Sequence, residues 1–335
     1  MDEYEDFKEV SHFVEILDNT HMTEKQYPYA YKMMSEITKR NGGQHHVVGH
    51  HQAHAANAFF SSNFDDSLII TIDGGGIDEV NGEVKISTAT VWTGKGNEIK
   101  PFKYFTEDMF NIGSTWNLFT TQVFGLSGGW PKGDQAGSVM AMACMGDPTK
   151  YIDHLKKIGF KHHSRWDYSQ RMIFEKLVTA GKQGEQEQFN VAAALQQATE
   201  MFIFSLVEQV LNITKSKNIC LAGGVALNSV MVGKLYDQFE GRVENIYVPP
   251  VPYDAGLCIG ASQYVWHQVL GNDRIKWEDN ATPYLGVKYS KEDIDNTFER
   301  YNELLEVREN VNMREMAELL SSGKIISIFS GGSAI

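Results

Sequence analysis

The chain has 335 residues, of which 42% are hydrophobic, 22% charged and 11% aromatic; this excludes a disordered or collagenous chain and allows one large core or two smaller ones. The formal net charge is −13, from 43 acidic and 30 basic residues with no Lys/Arg-rich run. That balance argues against gripping a nucleic-acid polymer, which needs a basic stripe, but leaves binding of a mononucleotide open.

No apolar run reaches membrane-spanning length, and the N-terminal MDEYEDFKEV lacks the apolar stretch of a signal peptide. Cys144, Cys220 and Cys258 lie far apart with no CxxC pair. Buried free thiols in a reducing, cytoplasmic compartment are expected.

In chain order, Tyr27, Tyr31, Met34 and Ile37 predict a helix over 23–40, stopped by Asn41-Gly42-Gly43. A short strand over 45–48 precedes a small-residue helix with Ala55, Ala56 and Ala58. The apolar run 67–72 ends in Asp73-Gly74-Gly75-Gly76, which reads as a buried strand entering a glycine turn. Alternation over 83–92 and 98–104 gives two more strands around a turn at 93–97, so three strands meander.

From Gly113 the spacing turns helical, most persistently over 191–213 with Leu195, Phe202, Leu206, Val207 and Val210 on one face. A buried strand over 218–222 closes in Gly223-Gly224. Next come a helix over 226–239, a strand over 245–248, the rigid Pro249-Pro250-Val251-Pro252 loop and a helix over 255–269. Residues 272–290 read as a linker, followed by a helix over 313–320 and a strand over 324–329. This order suits a ribonuclease-H-like α/β unit better than a doubly wound dinucleotide fold.

Five of the 11 histidines (His45, His46, His50, His51 and His54) fall within one short stretch. His50 and His54 are four apart, so on a helix they share a face and can hold one metal ion; a surface cluster without a ligand is the alternative. His51 lies to the side, as support or substrate contact. A zinc protease is excluded, because Glu does not follow His50. Two imidazoles leave a metal under-coordinated, so a carboxylate from elsewhere is expected. Asp254 is a candidate, with a helix N-cap as the alternative.

The two glycine segments at 74–76 and 223–224 let backbone approach a phosphate or ribose with amides exposed, and the second opens into a helix N-terminus. Neither is a Walker A loop or GxGxxG.

Residues 50–58, HHQAHAANA, resemble the HHxxHAxxA motif of the NodU/TobZ-type O-carbamoyltransferases, which share an actin-like (ASKHA) core with TsaD-type and hydrogenase-maturation proteins. Further segments resemble the family in order: Thr71-Ile72-Asp73-Gly74 its phosphate turn, and residues 133–143, GDQAGSVMAMA, its "GDexGKVMGLA" segment. Residues 221–228, LAGGVALN, match its nucleotide motif, and 248–256, VPPVPYDAG, resemble the loop bearing its metal-ligating Asp.

The resemblance implies an α/β, actin-like, TsaD-like core with an incomplete first lobe over 1–64, a second lobe with the nucleotide and metal site over 65–271, and a linker plus the beginning of a YrdC-like domain over 272–335. It implies that His50, His54 and Asp254 hold a divalent metal, iron first and Mg, Mn or Zn as alternatives. Gly74, Gly75, Gly223, Gly224 and Asn228 would then face the nucleotide. ATP and carbamoyl phosphate give a carbamoyl-adenylate in the C-terminal domain, and the carbamoyl group passes to a hydroxyl of a small-molecule or nucleotide acceptor. Asp73 or Asp134 is the nominated general base, with turn residues as the alternative.

Three departures stand beside it. Residues 1–40 lack the family's first phosphate hairpin, Ser138 replaces an expected Lys, and the last residues stop just before the family's "GPRALGNRS" segment. A nucleotide- and metal-binding module that acts only with a partner chain supplying the missing domain, and a metal-dependent nucleotide phosphohydrolase, are therefore the alternatives. A tRNA substrate is disfavoured by the charge.

Overall fold

The computed structural model describes residues 11–17, 36, 39, 42–80, 82–127, 135–277 and 289–328. Two strands, β1 (His12–Leu17) and β2 (Gln44–Gly49), form a parallel pair in which Glu15 lies opposite Val47. Gly49 ends β2 and caps α1 (His50–Ser61) without a break, so the histidines start a helix at the edge of a strand.

The strands β3 (Asp66–Val80), β4 (Glu83–Lys95) and β5 (Glu98–Thr106) meander antiparallel. Helices α2 (Ile112–Leu118), α3 (Ala136–Ala143), α4 (Ile152–Ile158), α5 (Tyr168–Gly181) and the 30-residue α6 (Glu185–Thr214) come next. Then β6 (Asn218–Ala222), α7 (Ser229–Gln238), β7 (Asn245–Tyr247) and α8 (Leu257–Gln263) alternate. The five-stranded sheet runs β5-β4-β3-β6-β7, with β3, β6 and β7 mutually parallel: a mixed α/β fold.

Side-chain alternation along β3 sends its apolar residues to two cores. Leu68, Ile70 and Ile72 face a large core with Phe119, Leu195 and Val207. On the other face, Ile69 joins Trp92, Ile99 and Cys220 beneath Ala55, Ala56, Ala58, Phe59 and Phe60 of α1. The alanines let α1 lie close to its neighbours. A Cβ at Gly260 of α8 would come 1.9 Å from the Ala53 carbonyl, so α8 needs glycine there to pack against α1. Arg274 closes the far end of α1, donating to the carbonyls of Phe59, Ser62 and Phe64 at 2.7 Å each and lying over the Phe59 ring.

Compact units divide at Lys276/Trp277, and α1 packs inside the first unit. The second unit contains α9 (Lys291–Arg300) and α10 (Met313–Ser321). Among the described residues no helix is long and apolar enough to cross a membrane.

Several expectations change. The turn expected at 73–76 is a bulge: Ile72 pairs with Ala89 and Gly76 with Ser87, and β3 resumes to Val80. The expected helix over 226–239 begins as a 3₁₀ turn, Gly224–Leu227, before α7; that over 255–269 splits into a 3₁₀ turn, α8 and a π-turn. Residues 324–328 carry no strand. All three cysteines are free, but only Cys220 is buried; Cys144 and Cys258 are exposed. The helix expected over 23–40 lies outside the described residues except Glu36 and Lys39, which are helical.

Candidate metal centre

The site forms where the bulge midway along β3 and the segments after the carboxyl ends of β6 and β7 meet the start of α1. The β3 bulge, beginning at Asp73, is held by Asn111, whose side-chain amide donates to the Gly74 carbonyl at 2.8 Å. Gly75 in the bulge has φ +146°, a conformation L side chains rarely adopt. The loop after β7 is tied down twice: Asn57 of α1 donates to the Val251 carbonyl at 2.8 Å, and the Gly223 amide donates to the Pro252 carbonyl at 2.7 Å. Those ties carry Asp254 to the histidines.

His54 Nε2 lies 3.3 Å from Asp73 Oδ2 and 3.4 Å from Asp254 Oδ1, and His50 Nε2 lies 3.6 Å from Asp254 Oδ1. One ligand atom from each of His50, His54, Asp73 and Asp254 lies within 4.8 Å of the others. Ligands about 2.1 Å from one tetrahedral ion sit roughly 3.4 Å apart, the spacing of the three pairs His54–Asp73, His54–Asp254 and His50–Asp254. Among the described residues the two carboxylates are the polar groups facing the Nε2 of the buried His54, and they are placed for a shared cation.

The electrostatics agree with a charged cluster. Burial alone would lower the His54 imidazole, but Asp254 and Asp73 outweigh it and raise it above its ordinary 6.5. Burial opposes the charge of Asp73 too, yet His54 and the amides of Gly224 and Gly74 hold its carboxyl far below the usual carboxylate range. Those amides donate to it at 2.8 and 2.6 Å.

His51 is not a ligand. It is fully buried, with Nδ1 3.0 Å from the Thr71 hydroxyl and Nε2 3.1 Å from the Ser87 carbonyl. Burial, then the neighbouring His50 and His54, push it down to about 3, so the ring is neutral. A carbonyl only accepts, which fixes the proton on Nε2 and leaves Nδ1 to accept from Thr71. Asp78, 2% exposed, accepts from the His51 and Gln52 amides and, at 2.5 Å, from the Ser87 hydroxyl. Burial raises its carboxyl against those hydrogen bonds and the nearby His50.

His50, His54 and Asp254 therefore come together, and the N-cap alternative for Asp254 is not realised: its carboxylate faces the imidazoles and makes no cap. Asp73 joins them. Gly74 and Gly224 border the cluster, but their amides serve Asp73, and that of Gly223 serves Pro252, rather than standing open. A Cβ at Gly223 would come 2.2 Å from the Ile72 carbonyl, so glycine is needed there for packing as well. Asn228 caps α7 through Met231 and exchanges amide hydrogen bonds with Gln196. Asp134 lies outside the described residues. Spacing missed Asp78 and Asn57. The only hints in sequence were an ionisable residue in an alternating strand and an amide in an alanine-rich helix.

A sequence-family profile described as carbamoyltransferase N-terminus matches residues 7–263, a range holding all four clustered residues. The chain belongs to this carbamoyltransferase family. Among similar proteins, the uncharacterized protein sll1178 of Synechocystis sp. is 31% identical over 307 residues, covering 84% of this chain and 47% of that protein. The nodulation protein NolNO of Sinorhizobium fredii is 32% identical over 222 residues, 64% of this chain and 30% of that one. NolO of Bradyrhizobium diazoefficiens is 30% identical over 225 residues, 65% and 38% respectively. This carbamoyltransferase-family chain thus spans half or less of the length of these relatives. Full-length HypF in its phosphate- and nucleotide-bound form aligns with 79% of this chain and 40% of its own, at TM-score 0.45 and 14% identity.

Proposed function

We propose that this chain is the carbamoyl-transfer part of an ATP-dependent O-carbamoyltransferase, holding a divalent ion among His50, His54, Asp73 and Asp254 beside a nucleotide. The observation that carries this reading is the meeting of three distant segments in one four-residue cluster. It lies just past the stretch where β3 runs parallel to β6, and beyond the carboxyl ends of β6 and β7, the edge where open α/β sheets bind ligands. The order β5-β4-β3-β6-β7, a meander followed by two parallel crossovers, supports the ribonuclease-H-like half of an actin-like core.

In the transfer, the acceptor oxygen forms a bond to the carbamoyl carbon of carbamoyl-adenylate, the carbon–oxygen bond to phosphate breaks, AMP leaves, and the hydroxyl proton goes to a base. A divalent ion in the cluster would supply charge for the departing phosphate. Two imidazoles and two carboxylates suit iron, manganese or zinc better than all-oxygen magnesium, and iron is our first choice. Asp73, held ionised by His54 and two amides, is a weak base and acts as a ligand on this reading. Asp134 takes the role of base. The adenylate comes from a further domain, in the same protein or a partner chain, and the acceptor is a small molecule or nucleotide bearing a hydroxyl.

Titration of the chain with AMP, with and without Mn²⁺, tests the central pairing. Metal-dependent AMP affinity that Asp73→Asn removes is the expected result, and AMP binding indifferent to metal contradicts it. Steady phosphate release from ATP alone would favour the phosphohydrolase instead.

A further inference from the structure

We infer that Asp78 is a positioning residue for the metal cluster, fixing the helix that carries His50 and His54 to the strand that carries Asp73. The inference rests on the metal reading above.

The residue at the N-cap of α1, Gly49, has no side chain to cap the helix. Four amides at a helix start lack intrahelical acceptors and need one from elsewhere. Here the acceptor comes from β3. Asp78 Oδ1 lies 3.0 Å from the His51 amide and 3.4 Å from that of Gln52, while Oδ2 lies 3.3 Å from the His51 amide and accepts from Ser87 Oγ. A Cβ built on Gly49 would fall 2.4 Å from Asp78 Oδ1, so the carboxylate occupies the space a local capping side chain would use. The negative charge also sits at the end of the helix dipole that favours it.

Two residues earlier on β3, Gly76 leaves room for the imidazole of His50: a Cβ there would lie 2.1 Å from His50 Cγ. One strand therefore contributes the ligand Asp73, the space for His50 and the anchor of the first turn of α1. His50 is the first residue of that turn, and His54 lies one turn deeper. Removing the anchor frees the first turn, so His50 leaves the cluster while His54 and Asp73 keep their places. Arg274 holds the opposite end of α1 and touches none of the ligands, which makes it the comparator for plain loss of stability.

The test is a Co²⁺ titration of the full chain, reading dissociation constant and d–d absorption, with melting temperatures measured without metal. Asp78→Ala should weaken Co²⁺ about tenfold or more, within the range seen when supporting residues of a metal site are removed, and change the absorption bands. Asp78→Asn keeps an oxygen for the His51 amide and should stay within about threefold of wild type. Arg274→Lys should lower the melting temperature while leaving both Co²⁺ readouts unchanged. If Asp78→Ala does not fold, Ser87→Ala, which releases Oδ2, should give the same spectral change at smaller amplitude. Wild-type affinity and spectrum in Asp78→Ala, or in Ser87→Ala when it stands in, would overturn the inference. Equal weakening in Arg274→Lys would overturn it as well. A wild-type chain that binds no Co²⁺ would overturn the metal reading beneath it.

Discussion

The side-chain amide of Asn57 donates to the main-chain carbonyl of Val251 at 2.8 Å, joining positions 194 residues apart. Asn57 belongs to the helix that supplies His50 and His54, and Val251 to the loop that delivers Asp254. This hydrogen bond is one of two ties, with that of Gly223 to Pro252, that set the distance between two halves of the ligand set. Asn57→Ala leaves a buried carbonyl unsatisfied, at a cost of about 1–3 kcal/mol, and loosens the loop. We expect a lower melting temperature and weaker metal binding together. Unchanged metal affinity would show that Gly223, through Pro252, holds the loop by itself.

Gly76→Ala tests the same geometry from the strand side. The new methyl would fall within the His50 ring, so the ring must swing away or β3 must shift. Overpacking of this kind costs about 1–3 kcal/mol. The expected outcome is a folded protein by circular dichroism that binds metal at least about tenfold more weakly. Full metal affinity in the folded variant would mean that His50 contributes little to the site.

Proton linkage separates His51 from His54. His51 is neutral when folded, with its value pushed down to about 3, and the unfolded chain takes up the proton below 6.5. The unfolded state therefore binds more protons between those values, and stability falls as pH drops through that window. The slope from this group is ~1.4 kcal/mol per pH unit. Denaturant midpoints of metal-free protein should show this slope, and His51→Gln should flatten it. An unchanged slope in that variant would contradict the buried, neutral assignment.

His54 has the opposite sign. Its value is raised on folding, so the stability it adds is complete below 6.5 and is lost as pH rises through the folded value. Bound metal takes the place of that proton. The melting temperature of metal-free protein should therefore carry a component that declines across this window, while the increment from saturating Mn²⁺ grows. His54→Gln should remove both. An Mn²⁺ increment flat with pH would argue that His54 is not a ligand.

Much of the fold could be read from local pattern. The run Asn218–Ala222 lies where its apolar content places it, because turn residues bound it on both sides. The segment Asp73–Gly76 could not be read the same way, since a glycine run suits a turn or a bulge equally. Only the resumed pairing of Gly76 with Ser87 decides it. β1 escapes notice as a short strand with Glu15 at its centre, and α9 as a helix whose apolar residues are only Ile294 and Phe298. Residues 324–328 are rich in isoleucine, but a strand needs a neighbour, and none among the described residues pairs with them.

The candidate site divides similarly. The four-residue spacing of His50 and His54 is a local fact, and family resemblance points to Asp254. The ligand position of Asp73 depends on a bulge, and the anchoring by Asp78 on a strand crossing beneath a helix start. Both are tertiary facts without a local pattern.

The most direct test is elemental analysis of the purified chain beside His54→Ala, Asp73→Asn and Asp254→Ala. A cluster that shares one ion predicts near-stoichiometric metal in the wild type, iron foremost, and its loss in all three folded variants. Wild-type protein without metal, or metal content indifferent to the three substitutions, would contradict the account.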